Sequence, residues 1–248
     1  MKSDFNIKYG KVSIEGTYHK NQDYVICKRH KDLIFAVVSD GLGSKKFSHI
    51  GAKIICEVIE EKVLNTLEYK NLESFAKIIN REWVHRINRA GYNVKDFYAT
   101  CLFCIIKNDN VYLGQLGDGF ICSVSTKSNK TKSALVLKDS NENHFINETL
   151  CLNKIFNLKE WKLKHLILNK NEDFIIVLAT DGLSICNNED EKIISFCKEL
   201  KKEYCNFKNY IQNKDVQDDI TRWLTNWKSD DDKTIAFIIK NKKIKNKK

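Results

Sequence analysis

Three aspartates in this chain each end an apolar run and are followed by glycine. They are Asp40 after Val37-Val38-Ser39, Asp118 after Gln115-Leu116-Gly117, and Asp181 after Leu178-Ala179-Thr180. A further acidic run, Asp230-Asp231-Asp232, precedes the apolar segment 234–239. Carboxylates at strand ends are held rigidly, and the glycines let backbone or ligand come close. Carboxylates gathered at one sheet edge repel unless cations neutralise them, and hard oxygen ligands select Mg²⁺, Mn²⁺ or Ca²⁺ over zinc.

The same dipeptide also has a simple structural explanation. Asp-Gly is the favoured pair of a tight hairpin turn, and Asp118-Gly119 lies between two apolar runs where such a turn fits. Any one of the three sites alone is better explained as a turn. Asp40-Gly41 differs, because it leads from a strand into a helix. Three such sites plus an acidic run therefore favour a metal site.

The elements that must position these aspartates are strands and helices of ordinary length. Apolar, β-branched runs between Gly and Asp predict strands at 32–39, 98–106, 111–116, 120–124, 163–168, 174–179 and 234–239. Helical spacing groups Phe47, Ile50, Ile54, Val58 and Leu64 on one face; Leu72, Phe75, Ile79, Trp83 and Ile87 on a second; and Ile193, Phe196, Cys197, Leu200 and Tyr204 on a third. A fourth helix is predicted around 220–227.

Several predicted strands follow one another directly, so hairpins outnumber crossovers. This pattern predicts an antiparallel α+β domain whose long helices cover sheet faces. No repeat or Pro/Gly/Ser-rich linker divides the 248 residues. We therefore expect one domain over 1–239, followed by a lysine-rich, disordered tail over 240–248.

The net charge of +10 would suggest nucleic-acid binding if it were spread over the domain. The last nine residues, however, hold six lysines and no acid, and without them 36 basic side chains face 32 acidic ones. The excess is mainly a property of the tail. Nucleic acid is therefore an unlikely partner.

The compartment expected from the sequence is the cytoplasm. No apolar stretch approaches the roughly 20 residues that span a bilayer, and the start lacks the apolar core of a signal peptide. The nine cysteines are scattered and mostly lie in apolar runs, as expected for reduced, buried thiols. Cys101 and Cys104 form a CxxC, but residues three apart in a strand point to opposite faces, which argues against zinc.

The arrangement of motifs resembles the protein phosphatase 2C family, and in particular its bacterial branch. The matching segments run in the family's order from about Gly16 to Ile239. They are Gly16-Thr17-Tyr18-His19 with Asn21-Gln22-Asp23, Val38-Ser39-Asp40-Gly41-Leu42-Gly43-Ser44, Tyr98-Ala99-Thr100-Cys101, Gly117-Asp118-Gly119, Asn147-Glu148-Thr149, Thr180-Asp181-Gly182-Leu183 and Asp231-Asp232-Lys233-Thr234.

This resemblance implies a four-layer α-β-β-α sandwich of two mainly antiparallel sheets, with two Mn²⁺ or Mg²⁺ ions at one end. By position, Asp40 would bridge both ions and the Gly41 carbonyl would bind one of them. Asp181 and Asp231 would complete the ligands of the first ion. Gln22 stands where the wider family has a ligand glutamate, and Asp23 would support the ligands from behind. Asp118 matches a residue linked to a third, weaker metal.

The activity that the resemblance implies is hydrolysis of phosphoserine and phosphothreonine in proteins by a water that the metal activates. The expected partners are a phosphorylated protein and an opposing serine/threonine kinase, and a monomer is the default. The sequence lacks a GxSxG elbow, an HExxH pair and a Walker A loop, which agrees with a mechanism that needs no side-chain nucleophile.

Four positions depart from the family pattern. Besides Gln22, Leu42 stands where many relatives carry histidine, Tyr18 where an arginine often contacts phosphate, and Ile185 at an expected acidic ligand of the third metal. His19 is a candidate for the missing acid or phosphate-contact role. These departures keep open a catalytically weak or inactive pseudophosphatase that binds phosphoproteins. A metal-dependent nuclease is a third hypothesis, supported only by the basic tail and the acidic run.

Overall fold

The computed structural model describes residues 5–17, 20–127, 130–138, 149–169, 172–183, 190–206 and 213–242. Ten strands and four α-helices lie in these ranges. The strands are β1 (Phe5–Ile14), β2 (Tyr24–His30), β3 (Leu33–Ser39), β4 (Cys101–Lys107), β5 (Asn110–Leu116), β6 (Phe120–Lys127), β7 (Lys130–Lys138), β8 (Lys162–Ile167), β9 (Asp173–Ala179) and β10 (Lys233–Lys242). The helices are α1 (Ser48–Asn65), α2 (Leu72–Arg89), α3 (Asp190–Asn206) and α4 (Asn213–Thr225).

The strands form two five-stranded sheets. Sheet I has the order β1-β10-β9-β6-β7, sheet II has the order β2-β3-β4-β5-β8, and the strand pairs are antiparallel. Helices α1 and α2 pack on sheet II, whereas α3 and α4 pack on sheet I. The predicted four-layer α-β-β-α sandwich is confirmed.

Three apolar cores separate the four layers. The core between α1/α2 and sheet II includes Ile55, Trp83 and Phe103, and the core between α3/α4 and sheet I includes Ile193 and Phe237. The middle core lies between the two sheets, and its members include Val38, Leu102, Leu113, Ile176, Leu178 and Ala236. Because side chains alternate along a strand, β4 supplies both the outer and the middle core.

All seven predicted strands are present, with ends shifted by one to three residues, but three strands were not predicted. In β1 the lysines Lys8 and Lys11 and the glycine Gly10 interrupt the apolar pattern, although Lys8 is buried and its Nζ donates to the Tyr204 carbonyl. Strand β2 ends in Lys-Arg-His, and β7 is a half-exposed edge strand. Strand β10 continues to Lys242, so the lysine-rich segment begins inside the sheet.

The predicted apolar face of α1 was wrong in part. Ala52, Ile55, Ile59 and Val63 are buried together with Val58, whereas Ile50 and Leu64 are 38% and 40% exposed. The helix carries apolar residues on more than one side, so its periodicity fits two faces. Packing against α2 and against β2 and β3 of sheet II buries the face that carries Ile55 and Ile59.

The cysteines match the expectation of buried thiols. Seven cysteines are buried and free, namely Cys27, Cys56, Cys101, Cys104, Cys122, Cys151 and Cys197. Cys101 lies in the outer core, whereas Cys104 lies between the sheets. The two sulfurs of the CxxC therefore face opposite sides of β4. No helix in the described ranges combines the length and apolarity needed to cross a bilayer.

Residues 117–119 do not form the hairpin turn that Asp118-Gly119 suggested. Strand β5 pairs with β4 and β8 in sheet II, whereas β6 pairs with β7 and β9 in sheet I. The segment therefore carries the chain from one sheet to the other. We call Gly117–Gly119 the inter-sheet link.

Candidate metal centre

Three of the predicted ligands converge at one end of the sandwich. Asp40, Asp118 and Asp181 each offer a carboxylate oxygen, and these oxygens all lie within 4.8 Å of one another. The three residues are half-buried, so solvent can still reach them. Asp40 follows β3 of sheet II, Asp181 follows β9 of sheet I, and Asp118 stands on the inter-sheet link. The site thus forms where the two sheets meet.

Asp40 is fixed through its backbone by the neighbouring strand β4. Its N–H donates to Thr100 Oγ1 at 2.9 Å, and its carbonyl accepts from the Thr100 N–H at 2.8 Å. Gly41 continues the contact by bridging Ala99. A Cβ at Gly41 would lie 2.6 Å from the carbonyl carbon of Ser48, so only glycine fits between Asp40 and the start of α1.

Asp118 is held by unusual backbone on both sides. Gly117 and Gly119 have φ angles of 95° and 83°, which side-chain-bearing residues rarely adopt. Thr149 Oγ1 donates to Asp118 Oδ2 at 2.9 Å. Thr149 of the Asn147-Glu148-Thr149 element therefore orients the Asp118 carboxylate. The first two residues of that element lie outside the described ranges.

Asp181 begins a short 3₁₀ turn, Asp181–Leu183, directly after β9. The preceding Thr180 N–H donates to the Thr234 carbonyl at 3.0 Å, which ties this strand end to β10. A Cβ at Gly182 would overlap the Asp232 carbonyl oxygen. The Asp-Gly pair at this position is therefore required by close backbone packing rather than by a hairpin.

Asp23 lies behind the three carboxylates and is 8% exposed. Thr180 Oγ1 donates to its Oδ2 at 2.8 Å, and Asp23 also interacts with Asp40. Burial raises the pKa of Asp23 to about 7, with a further contribution from the charge of Asp232, while hydrogen bonds to Thr234 and Thr180 oppose the rise. Asp23 therefore contacts both Thr180 and Asp40 from the buried side of the cluster.

The electrostatics of the cluster favour a cation. Burial and the charges of Asp23, Asp181 and Asp118 hold the pKa of Asp40 well above its usual range. Burial and the charges of Asp118 and Asp231 raise the pKa of Asp181 to about 7. Like charges this close cannot all ionise unless protons or cations compensate them. Because the donors are carboxylate oxygens, the residues fit a hard divalent ion such as Mg²⁺ or Mn²⁺.

Asp231 and Gln22, two further predicted ligands, lie at the border of this cluster. Asp231 is exposed and contributes to the raised pKa of Asp181, but it is not in the group of three within 4.8 Å. The Gln22 side-chain Nε2 donates to Ser48 Oγ at 3.2 Å. Its Oε1 lies 3.4 Å from the position of a Cβ at Gly43.

Two polar residues near the site were not singled out from the sequence. The buried Asp232 carboxylate accepts from the backbone N–H groups of Gly16 and Gln22, at 2.7 and 2.6 Å, and so holds these two residues next to the start of β10. The buried Gln115 side chain contacts the inter-sheet link. A polar residue inside the apolar run Val111–Leu116 was the signal for Gln115. Asp232 follows the predicted ligand Asp231, and nothing in the sequence indicated a separate role for it.

The remaining sequence predictions lie elsewhere. Tyr18, His19 and Ile185 fall outside the described residues, so the candidate acid His19 has no described position. Leu42 is half-buried, and its N–H donates to the Tyr98 carbonyl.

A sequence comparison decides the family. The model of the protein phosphatase 2C family matches residues 15–227. The chain belongs to the protein phosphatase 2C family. The match includes Asp40, Asp118 and Asp181 but ends before Asp231. Membership in this family gives no support to the nuclease hypothesis. A search of curated protein sequences finds no significant match.

Solved structures agree on the fold. A bacterial serine phosphatase is similar with a TM-score of 0.66 at 15% identity, covering 94% of this chain and 98% of the other. The serine/threonine phosphatase Stp1 from Staphylococcus aureus gives 0.65 at 15% identity, covering 94% and 95%. RsbX, solved in complex with magnesium, gives 0.61 at 16% identity, covering 95% and 96%. At such identities the likeness shows the protein phosphatase 2C fold alone.

Proposed function

We propose that this member of the protein phosphatase 2C family hydrolyses phosphoserine and phosphothreonine in proteins with the help of two Mn²⁺ or Mg²⁺ ions. The observation that carries the proposal is that carboxylate oxygens of Asp40, Asp118 and Asp181 lie within 4.8 Å of one another where the two sheets meet. The magnesium in the RsbX structure supports an ion of this class. A kinase that phosphorylates the same protein would oppose the reaction.

The proposed hydrolysis depends on the positive charge of the cations that the carboxylates would bind. A bound divalent cation acidifies water and offsets the negative charge on a phosphoryl group. The contribution of the chain is to fix the ligand oxygens before the substrate arrives. Asp40 is fixed by Thr100, and Asp181 by the tie between Thr180 and Thr234. Rigid, pre-positioned ligands avoid a reorganisation cost during the reaction.

We assign the further ligands from their positions in the family pattern. Asp40 would bridge the two ions, the Gly41 carbonyl would bind one of them, and Asp181 with Asp231 would complete the first site. Gln22 would serve the second ion. Because Nε2 of Gln22 donates to Ser48, Oε1 is the atom that can face a cation. Asp118 would hold a third, weaker ion, and Asp23 would orient Asp40 from behind.

No described residue favours the pseudophosphatase alternative. A binding module that needs no metal has no reason to maintain three converging carboxylates when burial, together with mutual repulsion, raises the pKa of Asp40 and Asp181. Gln22 weakens one ligand position without removing the oxygen donor. The described site therefore supports the enzyme.

The decisive experiment measures hydrolysis of an aryl phosphate and of a phosphothreonine peptide with Mn²⁺, with Mg²⁺ and with chelator. Asp40→Asn and Asp231→Asn test the assigned ligands. Asp218→Asn, an exposed carboxylate on α4, is the matched control. We expect metal-dependent turnover in the native protein and in the control, and its loss in both ligand variants.

Two results would contradict the proposal. Absence of turnover by folded protein with every metal would leave phosphoprotein binding as the better function. Turnover that survives chelator, or survives Asp40→Asn at full rate, would show that the three carboxylates do not hold the catalytic ions. Circular dichroism of each variant shows that the loss is not one of folding.

A further inference from the structure

Gln115 is a buried polar residue in an otherwise apolar strand. It lies next to the end of β5, is 1% exposed, and pairs with Leu102 and Lys162 of the two neighbouring strands. Leu113, two residues earlier on the same face, belongs to the core between the sheets. The amide of Gln115 therefore sits at the edge of this core, where an apolar side chain would be expected.

The amide nitrogen of Gln115 spans the inter-sheet link. Nε2 donates to the Gly117 carbonyl at 3.0 Å and to the Gly119 carbonyl at 3.2 Å. These are the residues on either side of Asp118, so both hydrogens of one amide group fix the backbone that carries the carboxylate. Reversal of the amide would place its oxygen against two carbonyl oxygens, so the orientation is determined.

The link needs such a constraint. Both flanking residues are glycines with positive φ, and glycine has the largest conformational freedom of any residue. Thr149 holds the carboxylate itself through Oδ2, but that bond does not restrain the two glycine backbones. Gln115 Nε2 is the donor that the Gly117 and Gly119 carbonyls share, so its removal would release both ends of the inter-sheet link.

The other end of the amide shows that Gln115 is not there for stability alone. Its Oε1 is buried and has no hydrogen-bond partner. A buried acceptor without a partner costs free energy, and an apolar side chain of similar size would avoid that cost. The position therefore retains an amide for the bonds that its nitrogen makes.

We infer that Gln115 is a positioning residue that sets the place of Asp118 relative to Asp40 and Asp181 through the carbonyls of Gly117 and Gly119. This inference rests on the proposed role of Asp118 in holding a divalent ion. Gln115 contacts neither ion nor substrate. Its effect on metal binding passes through the inter-sheet link, and so it is confined to the ion that Asp118 holds.

The test compares Gln115→Met, Asp118→Asn and the double variant with native protein. Methionine keeps the length of the side chain and removes both donors. Mn²⁺ binding is measured by calorimetry, and activity is followed over a range of Mn²⁺ concentrations. Leu113→Val, on the same face of β5, is the control for a weakened core without a change at the link.

We expect Gln115→Met to weaken the most weakly bound Mn²⁺ on the order of 10-fold, the effect typical of residues that orient metal ligands. The Mn²⁺ concentration for half-maximal activity should rise while kcat at saturating Mn²⁺ is retained. The double variant should bind Mn²⁺ no more weakly than Asp118→Asn alone. Leu113→Val should leave the binding curve unchanged.

A readout independent of metal separates this inference from the proposed function. Amide hydrogen exchange at Gly117 and Gly119 should speed up in Gln115→Met without any Mn²⁺. If exchange speeds up but native protein binds no Mn²⁺, the positioning of the link stands and the proposed function fails. If native protein binds Mn²⁺ and Gln115→Met binds it equally well, or if the double variant shows additive losses, the inference is overturned.

Discussion

Thr180 Oγ1 donates a 2.8 Å hydrogen bond to Asp23 Oδ2, although the two residues are 157 positions apart in the sequence. Thr180 directly follows β9 of sheet I, and Asp23 directly precedes β2 of sheet II. The same hydroxyl accepts from the Thr234 N–H at 3.1 Å. One buried threonine therefore joins both sheets beneath the carboxylates that we assign to the metal.

Removal of this hydroxyl should destabilise the protein. Thr180→Val keeps the shape of the side chain but removes one hydrogen bond from the buried Asp23 carboxyl and one from the Thr234 N–H. We expect a loss of about 1–3 kcal/mol in the free energy of unfolding, measured by urea titration. Thr180→Ser keeps the hydroxyl and should lose less than half as much. Equal losses in the two variants would show that the methyl group, rather than the hydrogen bond, matters.

The metal-free protein should lose stability as the pH rises from about 4 to about 7. Folding raises the pKa of Asp23 and Asp181 from 3.8 to about 7 and that of Asp40 well above its usual range. In this window the folded state keeps protons that the unfolded chain releases, so stability falls with pH. Asp118, Asp231 and Asp232 are the other charged groups of the cluster. Urea midpoints in chelator over this range provide the measurement.

A divalent cation should reverse this trend. Because it replaces protons on the same carboxylates, the stabilisation by Mg²⁺ or Mn²⁺ should be larger at about pH 8 than at about pH 5. Asp40→Asn removes a central charge and should flatten both dependences. Stability in chelator that stays constant or increases through the window would contradict the arrangement of charges described for the site.

Gly182 and Gly91 offer a matched pair of glycine substitutions. A Cβ at Gly182 would overlap the Asp232 carbonyl oxygen, whereas a Cβ at Gly91 meets nothing within 4 Å but sits on backbone with a φ of 82°. We expect Gly91→Ala to cost about 1–2 kcal/mol from backbone strain alone. Gly182→Ala should cost about 3 kcal/mol or more and should also weaken Mn²⁺ binding, because it displaces Asp181.

Urea unfolding and calorimetry with Mn²⁺ measure these two effects. Unchanged Mn²⁺ binding in Gly182→Ala would show that the backbone can shift without moving Asp181. A loss of Mn²⁺ binding in Gly91→Ala, which lies just after α2, would show that the binding assay responds to stability rather than to the site.

The described cysteines should resist modification in the folded protein. Cys27, Cys56, Cys101, Cys104, Cys122, Cys151 and Cys197 are buried, and burial raises the pKa of Cys27 and Cys151 to about 12. Because the thiolate is the reactive species, alkylation should be slow until the protein unfolds. Peptide mapping after alkylation with and without urea tests this. Cys151 should react first, since it is 9% exposed and lies outside the strands. Rapid native labelling of Cys101 or Cys104 would contradict the packing of β4.

Local sequence patterns predicted the antiparallel α+β class and singled out the three central aspartates, whereas the four-layer sandwich was expected from the family resemblance. Strand ends followed by Asp-Gly are visible in sequence, and so is the succession of strands that gives antiparallel sheets. The pattern did not show that Gly117–Gly119 crosses between sheets, because a hairpin and an inter-sheet link have the same local sequence. It also did not show which face of α1 is buried, since Ile50 and Leu64 fit the apolar period as well as Ile55 and Ile59 do.

The polar support of the site was harder to foresee. Asp232 accepts from Gly16 and Gln22 across more than two hundred residues, and Thr180 reaches Asp23 over a similar separation. These hydrogen bonds depend on which strands become neighbours and on their register, and neither is visible in the sequence. Gln115 was detectable as a polar residue in an apolar run, but its bonding partners were not.

The inter-sheet link has a consequence for the mechanics of the fold. Asp40 belongs to sheet II, Asp181 belongs to sheet I, and Asp118 stands between them, so a small slide of one sheet over the other changes all three oxygen separations. Side chains of the middle core such as Leu102 and Ile176 set that slide. A bound cation, in turn, should resist shear between the two layers.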